Sequence, residues 1–315
     1  MLLHHVDWRR AGKFKRIWKS FYTQRQLWLL CFPIIVWILL FAYYPMYGVL
    51  MAFFNYTPGR EIFQSQFVGL AHFKRFISNP VFMQLLRNTL AMSSLGLTIG
   101  FSAPIIFSLM LTEIGHVRIK KLVQTISYLP HFISWVVAGS IVFLLLSSDG
   151  VINSLLINLD LTEQSIPFLT RGQYYWAVYT LANLWKSLGW STIIYLSAIA
   201  GVDEELYQAG AIDGLGRLGM VRYITIPSIL PTIVLLWILG IGGILNAGFE
   251  QHLILGNPMT QNYWDVLDTY SYRYGIQLGY YSMGTAVSLM KSIIGFSLVY
   301  MTNRISRRLL DLALF

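Results

Sequence analysis

Charged residues are scarce in this sequence, and cysteine is almost absent. Asp, Glu, Lys and Arg make up 12% of the 315 residues and hydrophobic residues make up 56%, whereas a soluble domain has about 25% charged residues. A chain this apolar cannot cover its own surface with polar groups, so part of that surface must face lipid. The single cysteine, Cys31, excludes an intrachain disulfide and a metal site built from several cysteines.

The remaining reactive residue types indicate neither a metal site nor a catalytic group. The six histidines are scattered, and the adjacent pair His4 and His5 fits a solvated tail better than a metal site. The apolar stretches hold no clear Ser/His/Asp set and no His-x-x-x-His pair. A phosphate-binding G-x-x-x-x-G-K-[ST] loop is also missing. We therefore expect no metal, no catalytic residue and no ATP hydrolysis by that route.

Six stretches are apolar enough to cross a bilayer, which takes about 20 mainly apolar residues in a helix. Four are free of charged residues, and two are each interrupted by one lysine, Lys186 or Lys291. The six are 27–54, 88–112, 122–148, 174–200, 223–249 and 282–301. The first is longer than the apolar region of a signal peptide, so we expect it to remain as a transmembrane helix. The sequence predicts an all-α membrane protein with six transmembrane helices.

Basic residues are concentrated on one side of this six-span topology. The N-terminal segment, the second and fourth loops and the C-terminal tail together carry fifteen Lys and Arg, and the other three loops carry six. Cytoplasmic segments are enriched in these residues, so both termini are predicted to be cytoplasmic. The net charge of +9 is then mostly this bias, and no nucleic-acid partner is expected.

The chain divides into five predicted regions. A basic cytoplasmic segment, 1–26, precedes the first transmembrane helix, 27–54, and an outer loop, 55–87. The outer loop contains an amphipathic pattern over 67–77 that predicts a short helix at the membrane surface. A five-helix core, 88–302, includes a distinctive loop at 201–226, and a cytoplasmic tail covers 303–315.

The loop 201–226 carries the most specific pattern. Asp203 is a plausible N-cap, and a helix from there should end near Ile212. Glycines at 214, 216 and 219 then permit a tight turn. Leu215, Leu218 and Met220 are expected to be exposed, so the loop needs a partner with a matching groove. The G-x-G-x-x-G spacing does not indicate a dinucleotide site, because a βαβ unit cannot form between two membrane helices.

The segment from Gln208 to Leu215, followed by Ile224-Thr-Ile-Pro227, resembles the EAA motif of permease subunits in bacterial ABC importers. The family pattern is E-A-A, then D-G three residues on, then I-x-L-P. The matching residues are Ala209, Asp213, Gly214, Ile224 and Pro227, while Gln208, Gly210 and Ile226 depart from the pattern. Phe67-Val-Gly-Leu-Ala-His-Phe, Asn88-Thr-Leu, Trp185-Lys-Ser-Leu-Gly and Asn303-Arg-Ile-Ser-Arg-Arg are similar to segments of carbohydrate-uptake permeases. The C-terminal part, from Thr269-Tyr-Ser-Tyr-Arg-Tyr-Gly275 to the Asn303 segment, resembles the branch that handles oligo- and polysaccharides, which includes the alginate importer.

This resemblance implies a type I ABC importer permease, a multi-pass protein of the bacterial inner membrane that contacts lipid. The implied partners are a second permease, two ATPase subunits that bind ATP and Mg, an extracytoplasmic solute-binding protein and an oligosaccharide, with alginate-type acidic sugars as the first expectation. No cofactor is expected on this chain. The residues expected to couple to the ATPases are Gln208, Ala209, Gly210, Asp213, Gly214, Leu215, Arg217 and Leu218.

Polar residues inside the bilayer are costly and therefore mark functional candidates. The predicted substrate path consists of Asn183, Trp185, Lys186, Trp190, Asn246 and Glu250. Lys186 could instead pair with a carboxylate or extend to the interface, and Asn246 and Glu250 could instead cap the fifth helix. The outer turn at Gly256, Asn257 and Pro258 is expected either to contact the binding protein or only to form a turn.

Two other classes of membrane protein fit less well. A six-helix channel would need a filter-type pore loop or a ring of charge, and neither is visible in the sequence. A secondary transporter usually has repeated halves and broken helices, which the sequence also does not indicate.

Overall fold

The computed structural model describes residues 23–310, with side chains up to Arg308, as helices joined by short irregular segments. Within that range the only strand-like pairing is an isolated antiparallel bridge between Phe54 and Phe67. The helices are α1 (Arg25–Ile38), α2 (Ala71–Ile77), α3 (Phe82–Leu95), α4 (Phe101–Thr112), α5 (Val117–Tyr128), α6 (Trp135–Leu146), α7 (Val151–Asn158), α8 (Tyr175–Ala200), α9 (Glu204–Ile212), α10 (Arg217–Met220), α11 (Ile226–Gly242), α12 (Glu250–Leu255), α13 (Gln261–Trp264), α14 (Leu267–Tyr272) and α15 (Tyr281–Leu310). Most of the predicted basic segment and the end of the predicted tail lie outside the described residues.

The described residues fall into two compact units, which are divided after Met51. In the first, α1 continues through a π-helical turn, Leu39–Tyr43, into a 3-10 helix, Tyr44–Phe53. None of the residues of α1 is buried. A helix that is apolar on every side and unburied within the chain is suited to face lipid, which agrees with the predicted first span.

Five stretches of the described residues are long and apolar enough to cross a membrane: Arg25–Phe53, Phe82–Thr112, Trp135–Asn158, Arg217–Gly242 and Tyr281–Arg308. The remaining predicted span corresponds to α8, which has 26 residues and is about 39 Å long. It is less apolar than the five because it carries Asn183 and Lys186. It packs against α4, α5 and α11, so its polar side chains lie among other helices.

The prediction of one continuous span at 122–148 is wrong. The chain there forms α5, a 3-10 turn at Leu129–Phe132 and then α6. Pro130 lacks the backbone N–H that would continue the helix. Ser134 starts α6 anew, and its hydroxyl accepts a hydrogen bond from the N–H of Val137 at 3.3 Å.

The prediction that the fifth span extends to residue 249 is also wrong, because α11 ends at Gly242. Gly242 lies where α11 crosses α15: an added Cβ would meet Val299 Cγ2 at 2.1 Å, and one on Gly295 would meet the carbonyl oxygen of Gly242 at 2.6 Å. Beyond this crossing the chain is irregular over 243–249, and α12 begins at Glu250. This break places irregular backbone beside α8.

The segment between α11 and α15 is packed rather than loop-like. Tyr270 is 2% exposed and Trp264 is 8% exposed, so these two aromatic residues belong to the core and not to an interfacial belt. Ion pairs join Asp268 to Lys291 of α15 and Asp265 to Arg273. The predicted short helix near 67–77 is present as α2, which packs on α15 and buries His72 and Phe76.

Candidate coupling loop and polar cavity

The predicted helix and turn of the 201–226 loop are present. The Asp203 carboxylate accepts a hydrogen bond from the N–H of Glu205 at 3.0 Å, and α9 runs from Glu204 to Ile212. Gly214 follows with φ +78°, a left-handed conformation that residues with a Cβ seldom adopt. The N–H of Leu215 then bonds the carbonyl of Gly210 at 2.9 Å and closes the turn.

The loop has a small core of its own around Gly210, which is buried. An added Cβ on Gly210 would meet Ile224 Cδ1 at 2.7 Å, Met220 Sδ at 3.0 Å and Leu215 Cδ1 at 3.2 Å. The expectation that Leu215 and Met220 are exposed is therefore wrong, since both are partly buried against α9. Tyr207 and Thr225 add a hydrogen bond between their hydroxyl groups at 3.0 Å.

The opposite face of α9 is open. Gln208, Ala209 and Asp213 are exposed, and two large apolar side chains, Ile212 and Leu218, are 87% and 85% exposed. Ile212 was not among the predicted coupling residues, although its position at the end of the helix indicated it. Ile212 and Leu218 lie on either side of the Gly214 turn, so the turn presents apolar side chains to its surroundings.

Arg217 lies at the edge of this surface, with its side chain 86% exposed. Its Nε lies 3.8 Å from a carboxylate oxygen of Glu113, which directly follows α4. The separation is long and the groups are solvated, so the pair adds little stability. The pairing nevertheless places the end of α4 beside the loop. The part of the molecule that contains the 201–226 loop and the end of α4 is called the loop end.

A polar cavity of about 200 Å³ lies between α3, α8 and the segment after α11. It brings together two predicted path residues, Asn183 and Asn246. Its wall also contains Ser93 and Thr180, whose buried hydroxyl oxygens have no hydrogen-bond partner among the described residues. Buried hydroxyls are normally paired, so these two are exceptions, and the amides of Asn183 and Asn246 are the groups of the wall that suit a hydroxyl-bearing ligand or water.

The segment that carries Asn246 is held on α8 through the carbonyl oxygen of Ala247. This oxygen accepts hydrogen bonds from the Tyr179 hydroxyl at 2.7 Å and from Nε2 of His252 at 3.0 Å. Nδ1 of His252 then accepts from the Tyr175 hydroxyl at 2.9 Å. Burial lowers the pKa of His252 from 6.5 to about 4, which keeps the ring neutral with its proton on Nε2.

The other predicted path residues of α8 lie outside this cavity. Lys186 Nζ donates to the carbonyl oxygen of His131 at 2.8 Å and lies 5.7 Å from the centroid of the Trp135 ring. It therefore satisfies a carbonyl in the break between α5 and α6, and it neither pairs with a carboxylate nor lines the cavity. Trp190 stacks on the His131 ring at 4.4 Å. Trp185 lies on an apolar groove with Leu181 and Val178.

The predicted residues after α11 have mostly structural contacts. Glu250 begins α12 and, because α11 ends earlier, caps neither end of the fifth span. Asn257 accepts from the N–H groups of Met259 and Thr260 and donates to Leu169. An added Cβ on Gly256 would meet the Trp264 ring at 2.5 Å. These contacts favour the turn interpretation, and only Pro258 of the three predicted contact residues is exposed.

Sequence reasoning missed the residues that fix the 262–267 segment. Asn88 is fully buried, and its amide donates to the carbonyls of Asn262 at 3.0 Å and Asp265 at 2.9 Å. Thr89 accepts from the N–H of Leu267 at 3.1 Å. The only sequence signal was the short Asn88-Thr-Leu pattern, which indicates similarity but not this role.

The architecture fits a transport permease, because apolar helices flank an open, partly polar cavity and a tight turn follows one of the short helices. Residues 105–311 match the family described as binding-protein-dependent transport system inner membrane component. The chain therefore belongs to this family, whose members lie in the inner membrane, and it is a permease subunit that is not itself an ATPase.

Individual relatives agree with this assignment. The chain is 41% identical to protein LplB of Bacillus subtilis (strain 168) over 299 residues, which covers 95% of this chain and 93% of that protein. It is also 41% identical, over 95% of this chain and 93% of that protein, to the polygalacturonan/rhamnogalacturonan transport system permease protein YteP of the same strain. A chain in the crystal structure of a bacterial alginate ABC transporter, bound to a periplasmic protein with alginate pentasaccharide, has a TM-score of 0.86 and 36% identity and covers 95% of this chain and 100% of that chain. The predicted type I permease fold is confirmed.

Proposed function

We propose that this chain is the permease subunit of an oligosaccharide importer whose substrate is acidic. The observation that carries this is the agreement between two relatives that cover 95% of the chain. One is named for polygalacturonan and rhamnogalacturonan, and the other belongs to an alginate transporter. Both names refer to polymers that contain uronic acids, so a carboxylated sugar chain is the substrate class that they share.

We infer that the chain works with a second permease, two ATPase subunits that bind ATP and Mg, and a solute-binding protein. The exposed tip of the 201–226 loop is the surface for an ATPase subunit. Closure of the ATPases would move α9, and its packing through Gly210 onto Met220 and Ile224 would transmit that movement to α11. Because the segment after α11 carries Asn246, the movement would reach the wall of the polar cavity.

In this proposal the cavity around Asn183 and Asn246 is part of the translocation path. Sugars present many hydroxyl groups and need partners that can donate and accept. The side-chain amides of Asn183 and Asn246 meet this need. The channel and secondary-transporter alternatives have no comparable support, because family membership ties the chain to an importer that depends on a binding protein.

The test is transport-linked ATPase activity in the reconstituted complex. Galacturonan and mannuronan or guluronan oligosaccharides, loaded on the solute-binding protein, should stimulate hydrolysis, and neutral oligosaccharides of equal length should stimulate it at least tenfold less. Stimulation by the neutral sugars alone would reject the acidic substrate class while leaving the permease assignment intact. Asn183→Ala should slow uptake without preventing assembly, and Asn158→Ala, at the exposed end of α7, is a control expected to have no effect.

A further inference from the structure

A second polar cavity, of about 380 Å³, lies at the end of the bundle opposite the loop end. Its wall combines the chain at Asn55 and Tyr56, the helix α2 and the segment from Tyr270 to Met283. The cavity is remote from the loop end, because α11 starts at the 201–226 loop and Leu245, just beyond the opposite end of α11, packs with Met283 of the cavity wall. Its volume is within the range of small-ligand sites, about 300–1,000 Å³.

Aromatic rings form much of the wall. Tyr270 and Tyr274 stack with their ring centroids 4.2 Å apart and their planes 23° apart. Tyr280 is 62% exposed at the mouth, and Tyr56 contributes a fourth ring that contacts Tyr281 edge-on at 6.2 Å. A tyrosine presents an apolar ring face and a polar hydroxyl, which match the C–H face and the hydroxyl groups of a sugar.

One cation in the wall has no acidic partner. Arg75 lines the cavity and is exposed, and the ion pairs of the described residues do not include it. Arg273 and Lys291, on neighbouring elements, are each paired with an aspartate. A guanidinium forms bidentate hydrogen bonds with a carboxylate, so Arg75 is free to bind a carboxylated ligand.

The remaining polar residues of the wall carry no negative charge, so they do not repel an anion. His72 bonds the carbonyl oxygen of Phe54 at 3.2 Å, and it lies in the same wall as the amides of Asn55 and Asn79. Neither acidic residue of the adjacent ion pairs, Asp265 or Asp268, lines the cavity. The charge of Arg75 is therefore not opposed within the wall.

We propose that this cavity is a subsite on the outer face that binds a carboxylated sugar unit, with Arg75 bonded to the carboxylate and the ring stacked on tyrosine. This inference rests on the proposed function, since it assumes that an acidic oligosaccharide reaches this face. The site would hold one end of the sugar chain before the chain enters the Asn183–Asn246 cavity. A docking protein is the competing occupant, and the two occupants differ in how they respond to substitution of Arg75.

The test compares two substitutions at adjacent exposed residues of α2. Arg75→Gln removes the unpaired cation, and Lys74→Gln is the matched control because Lys74 is exposed and does not line the cavity. In the reconstituted transporter, Arg75→Gln should raise the KM for galacturonan oligosaccharide uptake about tenfold, as expected for one lost charge-assisted pair. Uptake of any neutral oligosaccharide that the transporter accepts should change less than twofold, and Lys74→Gln should alter neither.

A second pair of variants tests the aromatic wall. Tyr274→Phe keeps the ring and should leave KM within about twofold, whereas Tyr274→Leu removes the stacking surface and should weaken acidic and neutral sugars alike. If Arg75→Gln raised the KM for acidic and neutral sugars equally, the cavity would be a docking surface and not a sugar subsite. The same conclusion would follow if Arg75→Gln weakened the binding of the empty solute-binding protein to the complex. Unchanged uronate KM in Arg75→Gln would also overturn the subsite. If the wild-type transporter did not take up uronate oligosaccharides, the proposed function itself would be wrong.

Discussion

Lys186 shows how one polar residue in an apolar helix can serve the fold. The helix break at Pro130 leaves the carbonyl of His131 without a helical partner, and the lysine ammonium donates to it at 2.8 Å. A hydrogen bond to a charged group contributes about 1.5–3 kcal/mol. The charge stands near an aromatic ring, Trp135, at 5.7 Å, which adds a cation–π attraction. Both contacts are internal to the chain.

Substitution of Lys186 by alanine should therefore lower stability rather than change substrate selection. We expect a loss of about 1–3 kcal/mol and equal decreases in the uptake of acidic and neutral oligosaccharides. The measurements are thermal unfolding of the purified complex and uptake per folded complex. A selective loss of uronate uptake at unchanged stability would return Lys186 to the substrate path.

Gly210 stands where the family pattern has alanine, and three side chains lie close to the position of an added Cβ. Gly210→Val should force Ile224 and Met220 apart, because even a Cβ would lie 2.7 Å from Ile224 Cδ1. Overpacking of this kind costs about 1–3 kcal/mol, and it would tilt α9 away from α11. We expect sugar-stimulated ATPase activity to fall at least tenfold while membrane insertion persists. Ala209→Val, on the exposed face, should not disturb this packing, so its thermal stability should match that of the wild type.

At the scale of the element, the turn after α9 requires one particular glycine. Gly214 has φ +78°, whereas Gly216 has φ −74° and open space around its Cβ position. Gly214→Ala should strain the turn by about 1 kcal/mol or more and uncouple ATP hydrolysis from transport. Gly216→Ala should be tolerated. The measurement is the coupling ratio, which is the amount of sugar transported per ATP hydrolysed. Equal coupling ratios in the two variants would contradict this assignment.

The ends of some helices can be predicted from the sequence, and the ends of others cannot. The helix α9 was predictable because Asp203, the first-turn glutamates and the glycines mark both of its ends locally. The end of α11 at Gly242 was not predictable, because it depends on a backbone crossing with Gly295, some fifty residues away in the sequence. The same holds for Tyr270 and Trp264, whose burial depends on packing against distant helices. Local patterns thus predicted the helix and turn of the 201–226 loop, and only the three-dimensional packing defines the cavity.

At the scale of the whole molecule, stability depends on a neutral histidine. The pKa of His252 is lowered from 6.5 to about 4 by burial, so the unfolded chain binds a proton more readily than the folded chain. Stability is then full above pH 6.5 and falls as the pH decreases from 6.5 towards 4, by about 3 kcal/mol at most. Burial also lowers the pKa of His72, which acts in the same direction.

Thermal unfolding measured from pH 7 to pH 4.5 should show this decrease. In His252→Gln the amide can still donate to Ala247, but it cannot take up the proton, so the pH dependence should become shallower. Its stability at pH 7 should fall because the Tyr175 hydroxyl loses a nitrogen acceptor. An unchanged slope in His252→Gln would mean that other groups control the acid sensitivity.

Assembly of the whole transporter is expected to depend on the two exposed apolar residues at the tip of the loop. Ile212 and Leu218 are more than four-fifths exposed in this chain, and burial of such a side chain contributes about 1.5–3 kcal/mol. Replacing both by aspartate would remove that contribution and bury charge in the interface, so the yield of ATPase subunit that co-purifies should fall at least tenfold. The matched control is Ile276→Asp, which changes an isoleucine that is 59% exposed in the segment before α15, at the other end of the molecule. Retention of the ATPase in the double variant, or its loss in the control, would place the contact elsewhere on the permease.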